Sequence, residues 1–196
     1  MNNRFSHFLL LISLVLASGT AAYAFRVPIF DMFLPMLHWI VDAIEQRFHI
    51  AKLLIARPRS EYVIYLQLVS TTPVELYGRK LPGMDVSAST LLTHGIQHIF
   101  IFLVMVLLAA FYSNLRYGVL FVLVLIALPL SVALDIPFTL LGSIEGLYLE
   151  NFAPDQLDAH WLVKWEKFMT NGGRMTMALG LSLLVVVLSQ KSRPSG

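Results

Sequence analysis

The chain contains no cysteine, which excludes disulfides, thiolate metal sites and thiol nucleophiles together and leaves the redox compartment open. Charge is nearly as scarce. Only 13% of residues are Asp, Glu, Lys or Arg, against about a quarter in an ordinary soluble domain. There is no phosphate-cradling glycine loop, no Gly-x-Ser-x-Gly and no His-Glu-x-x-His, so the common nucleotide, hydrolase and zinc-protease signatures are missing. No basic stretch interleaved with aromatics points to nucleic acid, and a net charge of +2 is ordinary for a membrane protein that keeps its basic residues on one face.

What the sequence has in abundance is apolar surface, 57% of its 196 residues, gathered into four long runs. That composition places it among integral membrane proteins. The expected architecture is all-α with four transmembrane helices, an outer amphipathic helix and a small extramembrane β-hairpin. All 12 acidic residues fall in two of the segments between runs or at their boundary. The N-terminus with Arg4, the turn with Arg116 and the tail with Lys191 and Arg193 carry only positive charge. By the positive-inside rule this predicts both termini in the cytoplasm and both larger segments outside a bacterial inner membrane.

The first segment, residues 1–25, holds an apolar run from Phe8 to Phe25. It reads as an uncleaved helix or as a signal peptide, because Ala22-Tyr23-Ala24 has the small-x-small cleavage pattern. Residues 26–90 form the outer segment. Within 28–56, Phe33, Leu37, Ile40, Val41, Ile44 and Phe48 recur at helical spacing, interrupted by Asp31, Asp42, Glu45, Arg47 and Lys52. This predicts an amphipathic helix lying on the outer leaflet or packed on the bundle. Tyr62–Val69 and Val74–Tyr77 are β-branched and aromatic runs separated by Ser70-Thr71-Thr72-Pro73, the pattern of a hairpin. Its Tyr62, Ile64, Leu66, Val74 and Leu76 are candidate partner-binding residues, offered on an edge strand.

Residues 91–144 predict a transmembrane helical hairpin turning at Tyr112–Arg116, with Pro129 and Pro137 kinking its second arm. Residues 145–171 predict an acidic outer loop whose Trp161 and Trp165, four apart, share one face of an interfacial helix. Residues 172–196 complete the chain with a fourth span and the basic tail.

Few polar groups enter the spans, and each costs a few kcal/mol at mid-bilayer on insertion scales. His94 and His98 lie one helical turn apart at the start of the second span. Such a pair can offer two imidazoles to a metal or a haem, with Asp135, Glu145 or His160 as the third ligand, or it can hydrogen-bond neighbouring helices. Neither cofactor is required by the sequence. Asp135 follows the third span's start by about 18 residues, roughly 27 Å of helix, and so reaches the outer boundary, where Arg174 also opens the fourth span. An Asp135–Arg174 ion pair with His98 and Gln97 nearby is predicted, as an outward-opening polar pocket or as bundle glue. An intramembrane enzyme or a metal- or haem-binding redox subunit using this cluster is the alternative to a non-enzymatic accessory subunit.

The order of one helix, an outer apolar helix, a Val/Tyr-rich hairpin (Tyr62 to Val69, Val74 to Tyr77), a paired-helix hairpin and a final helix resembles the small membrane proteins associated with exosortase H. The resemblance implies an accessory role beside a membrane transpeptidase that processes C-terminal sorting tags on exported proteins. An exosortase's catalytic cysteine has no counterpart here, so the chain is expected to be a partner and not the transpeptidase. A topology reporter fused at residue 60 is expected to read as extracytoplasmic; cytoplasmic activity there would reverse the orientation.

Overall fold

The computed structural model describes residues 3–70, 73–76, 78–81, 85–112 and 115–190. Helix α1 (Asn3–Ala24) runs almost without interruption into α2 (Arg26–Ile44). Helical hydrogen bonds cross the junction, from Phe25 N–H to the Ala21 carbonyl at 2.9 Å and from Ile29 N–H to the Phe25 carbonyl at 3.0 Å. Pro28 is tolerated there because the first turn of a helix has no intrahelical use for that N–H. Glu45 ends α2 in an extended conformation (φ −96°, ψ 102°).

Three strands follow, β1 (His49–Ala56), β2 (Val63–Val69) and, after a two-stranded ribbon of β3 (Val74–Leu76) with β4 (Arg79–Leu81), β5 (Asp85–Leu91). They form an antiparallel sheet in the order β1-β2-β5. In β2 the alternate residues Ile64, Leu66 and Leu68 are each fully buried, the period of two that puts one face of a strand into a core. Each such burial is worth roughly 1.5–3 kcal/mol.

Strand β5 passes directly into α3 (Leu92–Tyr112), which turns back through α4 (Tyr117–Phe152). A short helix α5 (Trp161–Phe168) and a π-turn over Met169–Gly173 lead into α6 (Arg174–Ser189). The bend in the π-turn sits at Gly172, whose φ of +104° suits a residue without Cβ.

Several expectations are corrected. Residues 49–56 are a strand and not the end of an amphipathic helix, since a short apolar run fits either period and the pairing with β2 decides. In place of the hairpin, β2 is the middle of a three-stranded sheet, and Val74–Leu76 pairs with Arg79–Leu81 in a separate ribbon; Tyr77 lies outside the described residues. Residues 85–91 are a further strand, which the sequence pattern did not announce. Residues 145–152 continue α4, which runs through Pro129 and Pro137 as well, and bury Glu145, Tyr148 and Leu149 at helical spacing.

Four helical stretches are long and apolar enough to cross a membrane: Arg26–Ile44, Leu92–Phe111, Tyr117–Phe152 and Trp161–Ser189. The number agrees with expectation but the membership does not, since α2 qualifies while the apolar part of α1, Leu9–Ala24, is shorter. Position separates the two. Gly19 of α1 lies against the Phe100 ring and Phe30 of α2 against Gly95, so α1 and α2 together run antiparallel to α3. Past Gly95, α2 continues along the second half of α4 until Arg47 meets Glu145.

Two hydrophobic cores result. One, with Phe102, Val106, Leu115, Leu120, Ala127 and Val185, joins α3, the first half of α4 and α6. The other joins α2, the sheet, the start of α3, the second half of α4 and α5 through residues such as Phe30, Leu37, Ile64, Leu66, Ile136, Leu140 and Leu162. Helix α4, 36 residues long, belongs to both. At about 1.5 Å per residue it extends roughly 54 Å, well beyond a hydrocarbon core of about 30 Å.

Exposed large apolar residues concentrate on α1 (Leu9 to Leu16), the first half of α4 (Val119 to Leu130) and α6 (Leu179 to Leu188), the side chains a lipid phase would cover. The turn before α4 is fixed to the end of α6 by Arg116 N–H on the Ser189 carbonyl at 2.8 Å. The α3–α4 turn and the end of α6 thus lie at one end of the bundle, and the antiparallel run of α1 brings its start to that same end.

Helix α5 lies tightly on α4 at Gly142, where an added Cβ would stand 2.5 Å from the Leu162 carbonyl oxygen. Gly142→Leu is therefore expected to cost about 1–3 kcal/mol by overpacking, read as a lower melting temperature in detergent. Gly180→Ala, with nothing within 4 Å of its new Cβ, should cost nothing or stabilise by up to about 1 kcal/mol.

Candidate functional site: a closed polar cluster between two cores

Asp135 stands on α4 where the two cores meet and is 1% exposed. Its carboxylate is shared among three helices. Arg174, the first residue of α6, donates from Nε to Oδ1 at 3.1 Å and to Oδ2 at 2.9 Å. Thr139, one turn along α4, donates to Oδ1 at 2.9 Å. His98 of α3 brings Nε2 to 3.1 Å from Oδ2, an approach too oblique for a good hydrogen bond, and its Nδ1 is buried without a partner. The Arg174 Nη1 reaches His94 Nδ1 at 3.3 Å. A guanidinium has only donors, so this His94 nitrogen accepts.

The expected gathering of His94, His98, Asp135 and Arg174 is thus what the fold produces. Gln97 is the exception: it points out of the cluster and is exposed. Thr139 was missed, although its position four residues after Asp135 was a usable signal.

An ion pair this deep is costly to desolvate and stays only with excellent geometry and further hydrogen bonds. Here Asp135 has both. The cluster is closed, with His98, Asp135, Thr139 and Arg174 all buried; His94 is half-buried at its edge. The predicted pocket at this position is therefore filled by its own side chains. A guanidinium lies against both His94 and Asp135, a placement that opposes a metal cation by like charge. Among the described residues no three of His, Asp and Glu are placed to share a metal ion. Glu145 and His160, weighed as third ligands, sit elsewhere.

They belong to a second polar centre further along α4. Arg47, just past the end of α2, donates from Nη2 to Glu45 Oε2 at 2.8 Å and to Glu145 Oε2 at 2.7 Å. Its Nε and its backbone N–H both donate to Glu45 Oε1, at 3.0 and 2.9 Å. The Glu45 carboxylate above all, and then that of Glu145, hold the Arg47 proton more tightly than usual against the opposing effect of burial. His160, the residue capping the start of α5, brings Nε2 to 3.7 Å from Glu145 Oε1. These groups, with Gln46, Ile44, Trp161 and Leu162, line a pocket of about 320 Å³, roughly ten water volumes at about 30 Å³ each.

Trp161 and Trp165 do share a face, as their spacing predicts, but both lean on Phe138 of α4, at ring-centroid distances of 5.7 and 6.4 Å. Trp165 also donates its indole N–H to the Leu134 carbonyl at 2.9 Å, in the turn opened by Pro137.

The candidate partner residues stand differently from expectation. Strand β2 is the middle strand, paired on both sides, and Ile64 and Leu66 are fully buried. The edges that can accept a further strand are those of β1 and β5. Val74 and Leu76 lie in the separate two-stranded ribbon.

Asp135→Leu strips Arg174 and His98 of their shared counter-charge and should cost about 3–5 kcal/mol, visible as a lower melting temperature. The Asp135→Leu/Arg174→Met double variant should recover most of that loss; no recovery would mean the guanidinium is held by something other than Asp135. No protein-family model, curated protein or solved structure matches the chain.

Proposed function

We propose that the chain is a multi-pass protein of a bacterial inner membrane that acts as a non-enzymatic accessory or scaffold subunit. In this reading α1, α3, the first half of α4 and α6 cross the bilayer. The end where α1 begins, the turn before α4 and the end of α6 come together, and whose flanking sequence carries only positive charge, faces the cytoplasm. Helix α2, the sheet, the second half of α4 and α5 then form an outer lobe. Helix α2 fits that place because its exposed side includes Asp31, His38 and Asp42 along with Met32 and Trp39, a mixture suited to water and headgroups and costly in hydrocarbon.

The observation that carries this reading is the closure of the Asp135 cluster. Asp135, Thr139 and Arg174 are spent on one another across α4 and α6, and His98 of α3 is packed against them, which fits a fastening and leaves no space for a substrate. The outer lobe, in contrast, keeps two sheet edges and the pocket at Glu145. The resemblance to proteins associated with exosortase H supports a membrane transpeptidase as the partner, with an outer sheet edge receiving an extended segment of it.

The test is a photo-crosslinking residue placed in cells at Lys52, Leu54 or Ser87, all exposed on β1 or β5. A discrete protein adduct is expected from at least one edge, while Val122 and Leu184 in the apolar belt should capture lipid alone. Lipid adducts at every position, with no protein partner, would overturn the subunit reading.

A further inference from the structure

Tyr62 precedes β2, and its carbonyl accepts the N–H of Leu92 at 2.9 Å, so it stands at the start of the apolar α3. Two guanidiniums lie against its ring. Arg26, at the junction of α1 and α2, is 5.1 Å from the ring centroid, and Arg57, just past β1, is 5.0 Å away. Arg26 also covers the ring of Tyr23 at 4.0 Å and donates Nη1 to the Tyr23 carbonyl at 2.6 Å.

Neither Arg26 nor Arg57 forms an ion pair among the described residues. Two cations are thus held beside one ring, a local excess of positive charge. The nearby loop does not cancel it, since Arg59 and Glu61 add one charge of each sign.

The height of this pair along the molecule names the anion. Arg26 follows the apolar stretch Leu9–Ala24, and Tyr62 marks where the apolar stretch beginning at Leu92 starts. In the arrangement proposed above, with α2 in the outer lobe, both helices leave the apolar zone at this layer. Tyr23 and Phe25, beside Arg26, are 56% and 62% exposed, as aromatic side chains are at a headgroup interface. Guanidiniums recognise phosphate oxygens through paired N–H donors, and at this depth the abundant phosphates are those of phospholipids.

We propose that Arg26 and Arg57, braced on Tyr62, bind the phosphate of an outer-leaflet phospholipid and so seat the outer lobe on the membrane surface. The depth and the leaflet rest on the arrangement proposed above; the pairing of the two arginines on Tyr62 rests on geometry alone.

Native mass spectrometry of the detergent-purified full chain tests it by titration with phosphatidylglycerol, phosphatidylcholine and diacylglycerol. Both phospholipids should bind, the anionic one more tightly, and diacylglycerol, which lacks phosphate, should not. Arg26→Gln/Arg57→Gln should weaken phospholipid binding at least tenfold with the melting temperature nearly unchanged, and Arg26→Lys/Arg57→Lys should restore part of it. Equal binding of diacylglycerol, or no change in the glutamine variant, would overturn the site. Inorganic phosphate that displaces the lipid at equal concentration would also overturn it, by showing a site for the free anion. Lipid binding that persists while a reporter at residue 60 reads as cytoplasmic would leave the arginine pair intact and overturn the outer-leaflet assignment alone.

Discussion

One buried carboxylate sets the terms for the rest of the bundle. Asp135 cannot keep its charge beside hydrocarbon unless donors surround it. Those donors come from its own helix and from α6, and the His98 ring of α3 lies beside them. The three helices must therefore cross at one height and in one rotation about their axes, which a purely apolar interface would leave loosely specified. Arg174 gains from the same contact, because a lone guanidinium at that depth would otherwise have to reach for headgroups. A buried pair of this kind can contribute little net stability and still select one arrangement of the helices.

Helix α4 carries that fixed point in its middle and so connects two kinds of core. Its first half packs on α3 and α6 with apolar residues facing outward as well as inward. Its second half is enclosed by α2, the sheet and α5, and most of its side chains are buried. The change from outward-facing Phe121, Leu125 and Leu130 to buried Ile136, Leu140 and Ile144 happens at the level of Asp135. A membrane surface at that level would account for both patterns, with lipid covering the first half and protein the second.

Helix periodicity and rise were enough to bring His94, His98, Asp135 and Arg174 to one layer, because each lies on a helix whose start is marked by a turn or a charge. The same reasoning could not place Gln97, which shares α3 with the histidines but points away from them. It also failed where pairing partners decide. His49–Ala56 has apolar residues that suit a helix as well as a strand, and only its register against Val63–Val69 settles the matter. The contact between Arg47 and Glu145 joins residues 98 apart, with no local pattern to announce it. Asp135 was legible because a charge inside an apolar run is conspicuous; Glu145 stood out only as a third ligand, and its pairing with Arg47 did not, because it falls where the run is already giving way to acidic sequence.

The order of the helices along the chain gives the Asp135–Arg174 contact a consequence in time. The two residues are 39 positions apart, and Arg174 opens a helix that is synthesised after α4. While a nascent chain has delivered α4 but not yet α6, Asp135 has Thr139 and His98 beside it and no fixed cation. Arrival of α6 supplies the missing charge, so the contact that α3 and α4 begin is completed only once α6 has been made.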